Sequence, residues 1–314
     1  MDFIQKGFIG KNNTWRYLLT ITLVFIGIQL ASIPLGVVAF FQVDGDMEKF
    51  IEAGETTFME IGINSSLFLF LMIFTFMIAL LVLFLCVKYM HKKKFVSIVT
   101  SRVKIDWKRV FYAFMLWGSI SVLSIFVGIY LSPEDYTWNF KPVPFFTLLF
   151  VSFVFLPFQT SAEELIFRGY LMQGFGTLTK NRWFPLIATS VIFGLMHGMN
   201  PEVERLGYVL MVFYIGTGLL YGITTLMDEG TELALGLHAS NNIVAAFLVT
   251  TDWMVFRTDA MYIDTSEASV GAEMYIGVFV MYPLLLLIFS KKYGWKNWKS
   301  KLFGKVEIPV IDEK

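Results

Sequence analysis

Long apolar runs separated by short charged connections dominate the pattern along the chain. Eight of these runs are long enough, or nearly long enough, to cross the ~30 Å hydrocarbon core of a bilayer as helices. They cover residues 17–41, 65–90, 110–131, 144–170, 183–197, 207–227, 231–250 and 271–290. The pattern therefore predicts an all-α, polytopic membrane helix bundle of about eight transmembrane helices, forming a single integral membrane domain over residues 1–314.

The composition supports a membrane protein. Of the 314 residues, 56% are hydrophobic and 16% are charged, whereas a soluble domain carries about 25% charged residues. The net charge is zero and no nucleic-acid motif is present, so no nucleic-acid partner is expected. Cys86 is the only cysteine, which excludes an intrachain disulfide.

The basic residues are distributed unevenly between the connections. The loop over residues 88–109 and the tail over residues 291–314 are rich in lysine and arginine, whereas the connections after the first and seventh runs are acidic. Lysine and arginine favour the cytoplasmic side of short loops, so we expect both termini to be cytoplasmic, in a bacterial plasma membrane. The basic loop and tail also make anionic membrane lipid an expected partner.

Two adjacent carboxylates and an arginine lie inside the fourth apolar run. A charge at the bilayer centre costs about 2.5–3.5 kcal/mol on insertion scales, so such residues are candidates for function. Glu164 and Arg168 are spaced i and i+4, which predicts an ion pair along one helix face. Glu163 is rotated by about 100° from Glu164 and is left as a carboxylate for proton chemistry.

Two histidines lie in later apolar runs. His197 ends the fifth run with Gly194 and Gly198 on either side, and His238 lies four residues before Asn242 in the seventh. With Glu163 they could supply a base, an assisting imidazole and donors to an oxyanion. A zinc site of two histidines and a glutamate stays open, although the His-Glu-x-x-His pattern is absent, so no cofactor is expected.

Three elements on separate predicted helices resemble the motifs of the CAAX prenyl protease and bacteriocin-processing family of intramembrane glutamic endopeptidases. They are Glu163-Glu164-x-x-x-Arg168, Phe193-x-x-x-His197 and His238-x-x-x-Asn242, in that order. The resemblance covers about residues 144–250, which would be the catalytic core.

The resemblance implies a helical peptidase whose site opens toward the cytoplasm and whose substrate is a membrane-associated protein or peptide. Glu163 would be the general base that activates water, assisted by His197. His238 and Asn242 would form the oxyanion hole, and Glu164 with Arg168 would support the site. Two alternatives stay open: a non-proteolytic membrane scaffold or immunity protein of the same fold, and a proton-coupled transporter that uses the buried Glu and His.

The depths of the site residues disagree if each helix ends where its apolar run ends. His197 would lie about 20 Å from the cytoplasmic end of its run and Glu163 only about 10 Å from Tyr170. We therefore expect the fifth helix to begin outside the membrane or the fourth to continue past it.

Overall fold

The computed structural model describes residues 1–55, 58–255 and 257–310, and these are mostly helical. The α-helices are α1 (Thr14–Ala31), α2 (Ile33–Gln42), α3 (Met47–Glu55), α4 (Ser65–Leu85), α5 (Val96–Val99), α6 (Trp107–Leu131), α7 (Pro142–Glu164), α8 (Met172–Thr179), α9 (Trp183–Met196), α10 (Pro201–Leu206), α11 (Met211–Asp228), α12 (Glu232–Leu248), α13 (Ala272–Ile276), α14 (Tyr282–Tyr293) and α15 (Trp298–Phe303). Three π-helical segments, Cys86–Met90, Leu165–Leu171 and Gly277–Met281, continue or join these helices.

Within the described residues, six helices are long and apolar enough to cross a membrane, which points to a multi-pass integral membrane protein. They are Thr14–Gln42, Ser65–Met90, Trp107–Leu131, Pro142–Thr179, Tyr208–Asp228 and Ala272–Tyr293. The other two predicted spans correspond to α9, with 14 residues, and α12, with 17 residues. Both are shorter than the ~20 residues that usually span a bilayer.

Helix α12 lies at the centre of the bundle. It packs against α6, α7 and α11, and its side chains are buried around most of its circumference. A helix enclosed by other helices does not need an apolar face toward lipid. This position explains how α12 carries His238, Ser240, Asn241 and Asn242 within about one and a half helical turns without exposing them to hydrocarbon.

The fourth membrane helix continues well past the end of its predicted run. Helix α7, the π-helical segment Leu165–Leu171 and α8 form one helical stretch that ends at Thr179. Counted from this end, Glu163 lies about 24 Å along the helix, and His197 lies about 21 Å from the start of α9 at Trp183. The helix therefore extends beyond the end of its apolar run, and the two distances along the helices are similar.

Buried ion pairs join distant segments at the end of the bundle where α12 begins. Asp228 accepts from Arg102 at 3.1 Å and from Arg109 at 2.6 Å, and Glu232 pairs with Arg102 at 3.3 Å. Glu229 pairs with Lys301 and accepts from the backbone N–H of Phe3. These contacts bring the amino terminus and the basic tail to the same end of the bundle as the basic loop.

The opposite end of α12 carries a small sheet, which the all-α prediction did not include. Strands β1 (Tyr136–Trp138), β2 (Val249–Thr250) and β3 (Tyr262–Asp264) have the order β1-β3-β2. β3 is antiparallel to β1 and parallel to β2. Two to three residues per strand are too few for an alternating pattern to be visible in the sequence. The sheet links the segment before α7 to the segment after α12.

Helices α6 and α12 approach so closely that Gly236 has no room for a side chain. A Cβ at this position would lie 2.2 Å from the carbonyl oxygen of Val110 and 3.0 Å from the backbone nitrogen of Phe114. We expect Gly236→Ala to lower the free energy of unfolding by about 1–3 kcal/mol, because backbone atoms must move. Thermal unfolding in detergent measures the change.

Gly277→Ala is the matched control, since no atom lies within 4 Å of its added Cβ and alanine is the better helix former. The close approach of α6 and α12 would be contradicted if both variants unfolded at the same temperature.

Candidate active site

The centre of the site is the predicted ion pair, and it is wholly buried. Arg168 donates to Oε1 of Glu164 at 3.0 Å, and both side chains are inaccessible to solvent. The second terminal nitrogen of Arg168 donates to the carbonyl of Gly218 in α11 at 3.2 Å. The guanidinium also lies over the ring of Phe193, 4.2 Å from its centroid. Such a cation is stable in an apolar interior only with partners of this kind.

Glu163 turns to another side of α7 and joins a different network. Its Oε1 accepts from Gln159 Nε2 at 2.6 Å. Oε1 of Gln159 accepts in turn from Asn242 Nδ2 at 3.0 Å. Gln159 therefore connects the glutamate on α7 to the asparagine on α12. Oε2 of Glu163 is buried and has no hydrogen-bond partner among the described residues, which leaves this oxygen as an acceptor in the site.

His238 lies between the two carboxylates. Its Nδ1 lies 2.8 Å from Oε1 of Glu164, and its Nε2 lies 3.6 Å from Oε2 of Glu163. An ionised carboxylate can only accept a hydrogen bond, so Nδ1 of His238 carries the proton that it donates to Glu164. The ring is also stacked on Tyr221, with 5.1 Å between centroids and 27° between planes. Glu164 and Tyr221 together fix the direction in which Nε2 points.

His197 reaches the site through aromatic contacts and makes no hydrogen bond to Glu163 within the described part of the chain. Its Nδ1 lies 2.8 Å from the carbonyl of Phe193 and must donate to it, which leaves Nε2 of the neutral ring as an acceptor. The ring of Tyr214 is stacked on it, with centroids 4.4 Å apart. Phe193 contacts the rings of both His197 and His238.

Tyr214 is itself anchored by a buried carboxylate in α10. Its hydroxyl donates to Oε1 of Glu202 at 2.5 Å. Glu202 is 4% exposed, accepts also from Asn200, and receives the backbone N–H of Val255 at 3.1 Å. The ring plane of His197 is thus held by a chain of contacts that begins in the connection after α12.

Gln159, Tyr214 and Tyr221 are the site residues that sequence reasoning missed. Gln159 carried a usable signal, because it is a polar residue in an apolar helix and lies four residues before Glu163, on the same helical face. Tyr214 and Tyr221 carried none, because a tyrosine in a membrane helix most often packs or lies near the interface.

The carboxylates and histidines do not form a recognisable metal site. In residues 1–55, 58–255 and 257–310, no group of three His, Cys, Asp or Glu side chains is placed to hold a metal ion. Glu164 is already bonded to Arg168 and His238, so it is committed to the ion pair.

Comparison with known proteins relates part of the chain to a described family. Residues 142–244 match the family described as type II CAAX prenyl endopeptidase Rce1-like. This part of the chain is an Rce1-like domain. The domain starts at the first residue of α7, ends within α12, and contains all seven residues named in the three sequence motifs. The resemblance inferred from those motifs is therefore confirmed.

A full-length relative is also found among curated proteins. The chain is 28% identical over 294 residues to the uncharacterized protein YyaK of Bacillus subtilis strain 168, covering 93% of this chain and 95% of that protein. No solved structure matches the chain. The similarity thus extends to helices outside the Rce1-like domain, in a relative whose name states no activity.

Removing Arg168 tests whether the buried ion pair holds the Rce1-like domain together. We expect Arg168→Met to lower the free energy of unfolding by about 3–5 kcal/mol, because Glu164 would be left buried without its counter-charge. The double variant Glu164→Gln/Arg168→Met is expected to be more stable than Arg168→Met alone. Denaturant unfolding in detergent gives the three values.

Arg205→Met is the control, since Arg205 is exposed at the end of α10. A loss of stability in Arg168→Met no larger than in Arg205→Met would contradict a structural role for the pair.

Proposed function

We propose that this protein is an intramembrane endopeptidase that hydrolyses a peptide bond in a membrane-associated protein or peptide. The proposal includes eight membrane crossings with both termini in the cytoplasm of a bacterial cell, and a catalytic core over residues 144–250. The observation that supports it most directly is the pair of networks around Glu163 and Glu164. Glu164 is neutralised by Arg168, whereas Glu163 forms no ion pair with a lysine or arginine in the described chain, and Oε2 of each glutamate is buried there without a hydrogen-bond partner.

The proposed chemistry assigns proton transfer to Glu163. The carboxylate takes a proton from water, and the hydroxide oxygen attacks the carbonyl carbon of the scissile bond. The carbonyl oxygen becomes an oxyanion. When the C–N bond breaks, the protonated Glu163 returns the proton to the departing amine. His197 assists by orienting the water through its Nε2, which the contact with Phe193 leaves as an acceptor.

The oxyanion is proposed to be stabilised from α12. Asn242 gives one of its two amide hydrogens to Gln159 and keeps the second for the substrate. When both ring nitrogens of His238 are protonated, Nε2 donates to the oxyanion while Nδ1 stays bonded to Glu164. Donors fixed in advance in an interior of low dielectric are effective stabilisers of developing negative charge.

Glu163→Gln is the direct test of this proposal. The substitution keeps the shape of the side chain and removes its ability to take a proton. We expect peptide cleavage to fall by about a hundredfold or more, while the Glu164–Arg168 pair keeps the fold. Mass spectrometry of peptides released from membranes that carry the wild type or the variant gives both the activity and the cleavage site.

Glu204→Gln serves as the matched control, because Glu204 is exposed on α10. Cleavage at the wild-type rate in Glu163→Gln would overturn the assignment of the base. Loss of activity with a chelator and recovery with zinc would favour a metalloprotease instead. Proton flux in liposomes that depends on His197, without cleavage, would favour the transporter.

Gln159 is proposed as a positioning residue, since its contacts are with Glu163 and Asn242. Gln159→Leu removes both hydrogen bonds and keeps the side chain close in size. We expect kcat to fall about ten- to a hundredfold with little change in KM, because the orientation of the base changes while the residue itself does not hold substrate. Steady-state kinetics with an identified peptide substrate measure both constants.

Gln29→Leu, on the exposed face of α1, controls for loss of a glutamine from a membrane helix. A rise in KM at unchanged kcat in Gln159→Leu would show a role in substrate binding and contradict the positioning role.

A further inference from the structure

A hollow of about 460 Å³ lies at the end of the second membrane helix, outside the site described above. It forms where α4 passes through the π-helical segment Cys86–Met90 into the basic loop. The residues that line it are Phe84, Lys88, Lys92, Lys93, Lys94 and Phe95. Four cations and two aromatic rings therefore line the hollow, with no carboxylate among them.

Lys93 is the most informative of these residues. It is only 6% exposed, and its ammonium has no hydrogen-bond partner among the described residues. Burial lowers the pKa of Lys93 to about 8. The neighbouring His91 cannot balance this charge. Burial, together with the positive charge of Lys93, lowers the pKa of His91 to about 4. A buried cation without a counter-ion is costly, and an anion in the hollow would relieve that cost.

The other three lysines are exposed and have no carboxylate partner in the described part of the chain. Lys88 lies against aromatic rings, with its Nζ 5.1 Å from the centroid of Tyr89 and 5.7 Å from that of Phe84. Lys92 has φ of 56°, in the left-handed region that side chains other than glycine rarely adopt. Backbone conformations of this kind occur often at ligand sites.

The surface next to the hollow distinguishes a lipid from a free anion. Leu81 and Leu85 on α4 are 50% and 41% exposed. Leu85 precedes Lys88 and Tyr89 by about one helical turn and Leu81 precedes them by about two, so all four share a face. Exposed apolar side chains thus continue from the hollow along one side of α4. A lipid would place its head group among the lysines and its acyl chains along these side chains.

We infer that this hollow binds the phosphate group of an anionic membrane lipid, with Lys88, Lys92 and Lys94 at its rim and the buried charge of Lys93 next to them. The site is separate from the proposed peptidase centre and does not depend on proteolytic activity. His91 joins the two regions, because its Nε2 lies 2.7 Å from the hydroxyl of Tyr170, two residues after Arg168.

Native mass spectrometry of the delipidated full-length protein in detergent tests the inference. Phosphatidylglycerol is titrated beside phosphatidylcholine with the same acyl chains, and beside inorganic phosphate and glycerol phosphate. We expect one molecule of phosphatidylglycerol to bind at least about tenfold more tightly than phosphatidylcholine. Lys93→Met should weaken this binding by at least about tenfold, because it removes a poorly solvated positive charge next to the phosphate.

Lys104→Met is the matched control, because Lys104 is exposed in the same basic loop and does not line the hollow. It should keep the affinity for phosphatidylglycerol within about twofold. The thermal stability of the wild type should rise with phosphatidylglycerol, as expected for a ligand of the folded state, and that of Lys93→Met should not. If Lys93→Met fails to fold, Lys88→Gln/Lys94→Gln carries the same test.

Three results would overturn the inference. The first is equal affinity for the two lipids. The second is a loss of affinity for phosphatidylglycerol that is no larger in Lys93→Met, or in Lys88→Gln/Lys94→Gln, than in the control Lys104→Met. The third is binding of inorganic phosphate or glycerol phosphate as tight as that of phosphatidylglycerol, which would show a site for a free anion.

Discussion

The enclosure of charged side chains in an apolar bundle is the constraint on which the rest of this structure depends. Arg168 is fully buried, so its charge must be met by groups from several helices. Glu164 comes from the same helical stretch, the Gly218 carbonyl from α11, and the Phe193 ring from α9. Glu164 then holds His238 of α12. One buried cation thereby fixes how four helices meet, and the candidate active site lies at that meeting point.

The need to pair buried charges also explains the acidic residues at the turn between α11 and α12. They lie at the same end of the bundle as the basic loop and the basic tail. Asp228 and Glu232 are buried and are paired with Arg102 and Arg109 from the basic loop. These arginines therefore hold α6 and its preceding loop to the α11–α12 turn, as well as contributing to the charge bias of the chain. Lys93 departs from the rule, because its buried ammonium has no partner among the described residues. The proposed anionic lipid would supply the missing negative charge.

Much of this arrangement could be predicted from local spacing. The i, i+4 separation of Glu164 and Arg168 indicated their ion pair, and the conflict in depth between Glu163 and His197 indicated that the fourth helix continues beyond its apolar run. The link from Gln159 to Asn242 could not be predicted, because the two residues are 83 positions apart and only the packing of α7 on α12 joins them. The π-helical turn Leu165–Leu171 also has no pattern of its own in the sequence, since it depends on how the backbone is packed.

The sequence by itself determined the membrane class, the long apolar helices and the three motifs, because these depend on hydrophobicity and on residues that are near each other along one helix. Only the tertiary structure decided that α12 is central and shielded, that His238 lies between two carboxylates, and that Tyr214 holds the ring of His197. It also decided that Glu163 and Glu164, adjacent in sequence, have different hydrogen-bond partners, which are Gln159 for Glu163 and Arg168 with His238 for Glu164. Each of these facts depends on contacts between helices, and helix packing is set by the shapes and charges of all the surrounding side chains together.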